Sequence, residues 1–188
     1  NTDDVDAFVA TDHYSAGVVA GDHMIKDYPE GGKIAILDRT NDNAASQRIE
    51  GLLDTVGEKF EVVSRLDGGG KPETGLSITE DILQANPDLV GIACGNDDMA
   101  LGVVRALQEK NMKDKVKVVG VDFTTEAKSS IEEGAYDATV AMSPYLMGRE
   151  AVIIMLKALE GQDVSEVGDS TPMVLVDKSN VNEMSDWK

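Results

Sequence analysis

The sequence contains little cysteine and no long apolar run. Cys94 is the only cysteine in 188 residues, so no disulfide can form within the chain. It lies in an apolar segment, which favours a small buried side chain over a reactive thiol. The longest uninterrupted apolar run, residues 151–156, is far too short to span a bilayer.

Basic residues are also scarce. The chain has 17 Lys and Arg against 35 Asp and Glu, which gives a formal net charge of −18. This charge opposes the counterion release that drives binding to nucleic acid, and it repels anionic membrane surfaces. We therefore expect no nucleic-acid partner. No signal peptide is present, but the chain begins with Asn1 and not Met, so we expect a processed or partial chain.

Apolar residues make up 41% of the chain, enough for a real core in a protein of this length. Short runs rich in Val and Ile alternate with segments whose apolar residues recur every 3.6 positions. This alternation predicts an α/β fold with a mostly parallel, doubly wound sheet. The predicted strands are residues 8–11, 33–37, 60–66, 89–94, 115–121, 136–141 and 172–176.

Most predicted strands end in a polar cluster. Asp12 and His13 follow the first strand, Asn96 follows the strand at 89–94, and Asp122 follows the strand at 115–121. The carboxyl ends of parallel strands lie along one edge, where open α/β sheets bind ligands. The pattern therefore predicts a site for a polar, hydrogen-bonding small molecule.

Familiar enzyme motifs are missing. The segment of Gly68, Gly69, Gly70 and Lys71 superficially resembles a phosphate loop, but it lacks the Walker spacing, and Pro72 stands where that motif needs a hydroxyl residue. The sequence has no nucleophile elbow, no paired histidines for zinc, no calcium loop and no dinucleotide fingerprint. We therefore predict no catalytic residues, no metal, no cofactor and no enzymatic activity.

Four segments carry a family resemblance: TDHYSAG at 11–17, NAASQR at 43–48, GNDDMALG at 95–102 and VGVD at 119–122. Together they resemble the ribose/galactose-type periplasmic sugar-binding proteins, the solute-binding components of ABC importers. The resemblance implies the type I periplasmic binding fold, which has two lobes joined by three crossing segments. Such proteins are about half as long again as this chain.

By this resemblance, the chain holds one nearly complete lobe and part of a second. Residues 13–142 and 172–188 would form the C-terminal ligand-binding lobe. Residues 1–12 and 143–171 would be a remnant of the N-terminal lobe. The apolar helix predicted at 144–160 would then lack packing partners, so we expect a missing N-terminal segment or a second chain to cover it.

The resemblance also implies ligand-binding residues. Asp122 would accept hydroxyl hydrogen bonds, although a strand-end Asp is often only a turn former. The side chain of Asn96 would contact ligand, although its position also suits a helix N-cap. Arg48 would reach the sugar ring, although an exposed helical Arg usually pairs with nearby acids such as Glu50 or Asp54.

Three further residues belong to the predicted site with less support. Asp12 and His13 lie at a presumed lobe crossing, where hinge or structural roles are equally open. Met142 stands at the second crossing, where relatives carry Gln. By contrast, Asp97 and Asp98 fit a helix first turn, and His23 is predicted to be a helix-surface residue.

Aromatic residues depart from the pattern of relatives that bind ribose. The Gly68–Gly70 turn stands where those relatives carry an aromatic residue, and Val121 precedes the strand-end Asp. Phe123, Tyr14 or Tyr145 could compensate, or each could be core. These differences put ribose in doubt and leave a sugar or polyol as the expected ligand.

The resemblance implies capture of that ligand outside the cytoplasm, by closure of two lobes, for the membrane permease of an ABC importer. A periplasmic or extracytoplasmic location follows, with a membrane-anchored lipoprotein as one form. The alternative is the effector-binding domain of a lactose-repressor-type transcription regulator, which shares the fold. A lipoprotein signal upstream would favour transport, and a helix-turn-helix would favour regulation.

Overall fold

In a computed structural model of the chain, residues 5–164 and 171–186 are described. They form an α/β unit whose strands and helices alternate. The helices are α1 (His13–Asp27), α2 (Asn43–Val56), α3 (Pro72–Ala85), α4 (Asp97–Glu109), α5 (Thr125–Glu132) and α6 (Pro144–Leu159). The strands are β1 (Gly32–Asp38), β2 (Phe60–Asp67), β3 (Leu89–Cys94), β4 (Lys117–Asp122), β5 (Ala138–Met142) and β6 (Met173–Asp177).

The strands form one sheet in the order β2-β1-β3-β4-β5-β6. All neighbouring pairs from β2 to β5 are parallel, and β6 pairs antiparallel with β5. The carboxyl ends of β1, β3, β4 and β5 therefore lie at one edge of the sheet. The predicted mostly parallel sheet is confirmed.

Helices cover both faces of the sheet. Alternate residues of β1 point to opposite sides, so Ile34 and Ile36 pack with α1 and α2 while Ala35 and Leu37 join the core under α3 and α4. Cys94, at the end of β3, is buried in this second core, and burial raises the pKa of its thiol. The doubly wound architecture follows directly from this alternation.

The crossing of α1 and α2 depends on glycine. A Cβ at Gly17 would overlap the carbonyl oxygen of Arg48, and a Cβ at Gly51 would overlap the carbonyl oxygen of Tyr14. The two backbones therefore touch where the helices cross. This contact brings the first turn of α1 beside the middle of α2.

Two predictions about local structure are wrong. Residues 8–11 form no strand, since no neighbouring strand of the described chain offers them backbone partners; Thr11 instead shares a 3.1 Å hydrogen bond with Thr171 through the two side-chain hydroxyls. The side chain of His23, predicted on the surface, is 8% exposed and faces Asp27 at 3.6 Å.

Helix α6 packs loosely against the rest of the described chain. Ile154 is its only buried residue among those the structure describes. Large apolar side chains on the same helix are exposed to solvent, namely Tyr145, Val152, Met155, Leu156 and Leu159. Within the described residues no helix is both long and apolar enough to cross a membrane.

Candidate functional site

Arg48 is the centre of the candidate site. Arg48 is only 8% exposed although its side chain is charged. Its Nη1 donates to the backbone oxygen of Gly95 at 2.8 Å and pairs with Asp122 Oδ1 at 2.9 Å. Its Nε donates to His13 Nδ1 at 3.4 Å, and its Nη2 lies 4.0 Å from the sulfur of Met142. One guanidinium thus contacts residues from four other segments, a use of its planar fork that Lys could not reproduce.

The position of Arg48 follows from how α2 begins and packs. Asp42 caps the helix by accepting a hydrogen bond from the backbone N–H of Ala45 at 3.0 Å. The close crossing at Gly17 then sets Arg48 beside His13. Burial, followed by the charge of Arg48, lowers the pKa of His13, so the imidazole is neutral at pH 7 and its Nδ1 can accept.

Asp122 ends β4 and turns toward Arg48. Asp122 and the next residue, Phe123, have positive φ angles of 133° and 66°. For residues with a side chain such angles cost roughly 1–3 kcal/mol each, and they occur mainly where surrounding contacts hold them. Oδ2 of Asp122 accepts no hydrogen bond from any other described residue, and the side chain is 34% exposed.

The environment of Asp122 opposes ionisation. Burial raises the pKa of its carboxyl to about 6, although the neighbouring Arg48 charge lowers it. The nearby carboxylates of Asp97 and Asp98 raise it further. A carboxylate with this pKa is ionised at neutral pH yet strongly inclined to accept hydrogen bonds.

Asn96 is a helix cap, as its position suggested. Its Oδ1 accepts from the backbone N–H of Met99 at 3.1 Å, which satisfies the start of α4. Its Nδ2 lies 3.5 Å from the carbonyl oxygen of Gly70, at the limit of a hydrogen bond. The amide donors of Asn96 are therefore weakly engaged, and the glycine turn borders the site at this point.

Asp12 also caps a helix. Its carboxylate accepts from the backbone N–H and the hydroxyl of Ser15 at 2.9 Å and 2.6 Å, and these bonds lower its pKa, that to the hydroxyl most strongly. Within the described chain, no hydrogen bond or ion pair joins Asp12 to Arg48, Asn96 or Asp122. The structure therefore brings together His13, Arg48, Asp122 and Met142, with Asn96 adjacent through Gly95, and leaves Asp12 outside this network.

Two aromatic candidates lie outside the Arg48 network. The hydroxyl of Tyr14 donates to Asp54 at 2.9 Å, and Tyr145 is exposed on α6. Phe123 is partly buried and packs against the core. No group of three or more potential metal ligands clusters in the part of the chain that the structure describes.

The surroundings of Asp97 were not predicted. Its carboxylate is fully buried and accepts from Tyr136, Thr139 and the backbone N–H of Thr124. The available signal was Thr139, a hydroxyl residue inside the otherwise apolar strand β5. A buried hydroxyl needs a partner, and the first turn of α4 supplies one.

These features define an α/β lobe in which the buried Arg48 pairs with the partly exposed carboxylate of Asp122, with the Asn96 amide nearby, at the carboxyl edge of the sheet. The profile of the periplasmic binding protein domain matches residues 1–163. The chain belongs to this family.

Curated relatives of the chain are sugar-binding proteins. The ribose import binding protein RbsB of Salmonella typhimurium is 34% identical over 163 residues, which cover 86% of this chain and 55% of the relative. The D-allose-binding periplasmic protein of Escherichia coli K12 is 31% identical over 183 residues, covering 95% of this chain and 59% of the relative. The chain thus spans little more than half the length of these relatives.

Solved structures agree with this assignment. A solute-binding protein of an ABC transporter from Bacillus halodurans C-125, with bound myo-inositol, matches with a TM-score of 0.90 and 28% identity, covering 100% of this chain and 66% of that one. A counterpart from Actinobacillus succinogenes with bound D-allose has a TM-score of 0.88 and 26% identity, covering 94% and 64%. The type I periplasmic binding fold is confirmed.

Proposed function

We propose that the chain is the larger part of an extracytoplasmic solute-binding protein that captures a sugar or polyol for an ABC importer. The observation that carries this proposal is the Arg48–Asp122 pair. It presents a forked donor and a carboxylate with an uncommitted oxygen at the sheet edge where such folds bind ligands. The role is binding and not catalysis, in keeping with the relatives, which are binding proteins.

The chemistry of the pair suits adjacent hydroxyl groups. A sugar hydroxyl both donates and accepts, so one hydroxyl can donate to Asp122 Oδ2 while its neighbour accepts from Arg48. A hydrogen bond to a charged group contributes about 1.5–3 kcal/mol. Asn96 adds weakly engaged amide donors at the same edge. We assign ligand contact to Arg48, Asn96 and Asp122, with His13 and Met142 holding Arg48 and Asp12 capping α1.

The ligand class follows from the relatives and from this chain's differences. The two relatives named above are a ribose import binding protein and a D-allose-binding protein, and the two solved structures contain bound myo-inositol and D-allose. This chain has a glycine turn beside Asn96, and its partly buried Phe123 packs against the core. We therefore place the ligand among monosaccharides and inositols without assigning ribose.

Closure of two lobes would complete the site. Residues 13–142 and 172–188 form the C-terminal lobe in this proposal, and residues 1–12 and 143–171 belong to the first lobe; parts of both ranges lie outside the described residues. The poor packing of α6 supports this division, because Ile154 alone is buried along its described length. A ligand would favour the closed form because only there do both lobes contact it.

The exposed side of α6 supports a covering partner. Residues 6, 7 and 9 and helix α6 border a groove that includes Val9, Ile154 and Met155. We propose that the remainder of the first lobe covers this face, from an N-terminal segment of the intact protein or from a second chain. The complete protein would deliver its ligand to a membrane permease from a periplasmic or other extracytoplasmic location, as a membrane-anchored lipoprotein in one form.

A calorimetric titration tests the proposed function. The protein with its complete first lobe is titrated with D-ribose, D-allose and myo-inositol, after a thermal-shift screen in which a bound ligand raises the melting temperature. Replacing Asp122 with Ala should weaken binding at least tenfold, about 1.4 kcal/mol.

Asp88 offers a matched control for this titration. It is exposed and pairs with Lys33 just before β3, at the end of the strand opposite the site. Asp88→Ala should leave sugar affinity unchanged. A folded Asp122→Ala protein with wild-type affinity would refute the assigned site, and a wild type that binds none of a broad panel of sugars and polyols would refute the function.

A further inference from the structure

Asp97 has a buried carboxyl group that the predicted site does not include. Its side chain is fully buried, and no Lys or Arg of the described chain forms an ion pair with it. Oδ1 accepts from the hydroxyl of Tyr136 at 2.9 Å and from that of Thr139 at 2.7 Å. Oδ2 accepts from the backbone N–H of Thr124 at 2.9 Å. Burying a carboxylate without an opposite charge costs free energy, and these hydrogen bonds offset part of that cost.

The contact with Thr124 lies directly after the strained part of the chain. Asp122 and Phe123 carry the positive φ angles of 133° and 66°, and Thr124 then caps α5 by accepting from Ala127. The Asp97 carboxylate thus binds the backbone at the far end of this turn. Its near end is fixed by β4, where Asp122 pairs in register with Ala141 of β5.

Strands β4 and β5, next to this turn, also accommodate the hydrogen bonds of the Asp97 carboxylate. Gly120 lies opposite Thr139 in the β4–β5 pair, and a Cβ at Gly120 would overlap the hydroxyl of Tyr136. Glycine at this position therefore leaves room for the hydroxyl that binds Asp97. The arrangement connects the first turn of α4 to two strands and to the turn that follows one of them.

We propose that Asp97 is a positioning residue for the sugar site: it holds the turn of Asp122, Phe123 and Thr124 in the conformation where Asp122 meets Arg48, and places a second negative charge behind Asp122. The proposal deepens the proposed function and rests on it where sugar binding is concerned. The effect on Asp122 itself can be observed without a ligand.

Charged or titratable groups on three helices surround Asp122 and its partner Arg48. Arg48 of α2 pairs with Asp122, the carboxylates of Asp97 and Asp98 lie at the start of α4, and the neutral imidazole of His13 on α1 accepts from Arg48 Nε. Burial is the main reason that the pKa of Asp122 is raised to about 6, with Arg48 acting against it and Asp97 adding to it. Removing the charge of Asp97 while keeping its shape should therefore lower the pKa of Asp122.

Two substitutions separate the backbone contact from the charge. Asp97→Ala removes both, whereas Asp97→Asn keeps an oxygen that can accept from Thr124 and removes the charge. Asp98→Ala is the matched control, because Asp98 is the adjacent first-turn acid but is exposed. Sugar affinity is measured by calorimetry with D-ribose, D-allose and myo-inositol. NMR of the same proteins reports the φ angle of Phe123 and the pKa of Asp122.

We expect Asp97→Ala to weaken sugar affinity at least tenfold. NMR of this variant should show that the backbone φ angle of Phe123 is no longer positive. Asp97→Asn should keep the turn and most of the affinity at pH 7.5, and its Asp122 pKa should fall below that of the wild type. Asp98→Ala should keep the turn and remain within twofold in affinity.

A folded Asp97→Ala protein with an unchanged Phe123 turn, or with wild-type sugar affinity, overturns the proposal. If Asp97→Ala does not fold, Asp97→Asn decides: a lowered Asp122 pKa supports the proposal and an unchanged one contradicts it. If the wild type binds none of the sugars, the proposed function has failed, and the NMR measurements on the turn and on Asp122 still decide the role of Asp97.

Discussion

The pKa of Asp122 predicts that sugar affinity depends on pH in a defined window. With a pKa of about 6 in the ligand-free protein, the carboxylate is ionised at pH 7.5 and ready to accept hydroxyl hydrogen bonds. At pH 5 only about a tenth of the molecules carry that charge. Affinity should then be about tenfold weaker than at pH 7.5, about 1.4 kcal/mol.

The carboxyl group of Asp122 should also make the free energy of unfolding depend on pH, in the direction opposite to that of sugar affinity. Its pKa is raised from the ordinary value of 3.8, mainly by burial, so the folded protein holds more protons than the unfolded chain between pH 3.8 and 6. The contribution of Asp122 to the free energy of unfolding therefore falls as pH rises through that window and is constant above it. Conditions that favour binding thus disfavour the ligand-free fold.

Calorimetry at pH 5, 6 and 7.5, paired with urea unfolding at each pH, measures both slopes. The control is Asp122→Asn, which cannot titrate and should lose the Asp122 contribution to each slope. Any slope that remains reports other groups, His13 first, since its imidazole contacts Arg48. Equal wild-type affinity at pH 5 and 7.5 would show that Asp122 does not control binding. The same dependence of sugar affinity on pH in the wild type and in Asp122→Asn would show this too.

Two further predictions concern how the site is held. Gly17→Ala should destabilise the protein by about 1–3 kcal/mol in urea unfolding, because a Cβ there meets the Arg48 backbone. Gly148→Ala, in open space on α6, is the control and should be neutral or slightly stabilising; equal effects would argue against the close crossing. Asp12→Ala should cost about 1 kcal/mol through its lost N-cap, and Asp12→Ser should restore most of it. Sugar affinity in both Asp12 variants should stay within threefold of wild type, and a larger loss measured by calorimetry would place Asp12 in the ligand site.

Elements with local start and stop signals were predicted at or near their observed bounds. The strand predicted at 89–94 is β3, and the helix predicted at 144–160 begins at Pro144 as α6 does and ends one residue later. Residues 8–11 have strand composition, yet a strand also needs a neighbour to pair with, and composition does not reveal one. The antiparallel direction of β6 likewise depends on the path of the chain after α6.

Asp122 could be predicted from the pattern because it ends a strand, whereas Arg48, within α2, was predicted only from the family resemblance. The two residues, far apart in the sequence, do meet, and their roles toward a ligand remain predictions. Asp97 lies in a helix first turn as predicted, but its burial and that of His23 were not predicted, because burial of a polar side chain on a helix depends on what packs against it. Neither the Tyr136 hydroxyl beside Asp97 nor the 8% exposure of His23 has a local signature.

The burial of Cys94 has a practical consequence. Because the sole thiol of this chain is shielded at the end of β3 and its pKa is raised by burial, alkylating dyes should leave it untouched in the native protein. A cysteine introduced at the exposed position of Tyr145 would then be labelled alone. A fluorophore could thus be attached at the start of α6, near the cleft between the two proposed lobes, without first replacing Cys94.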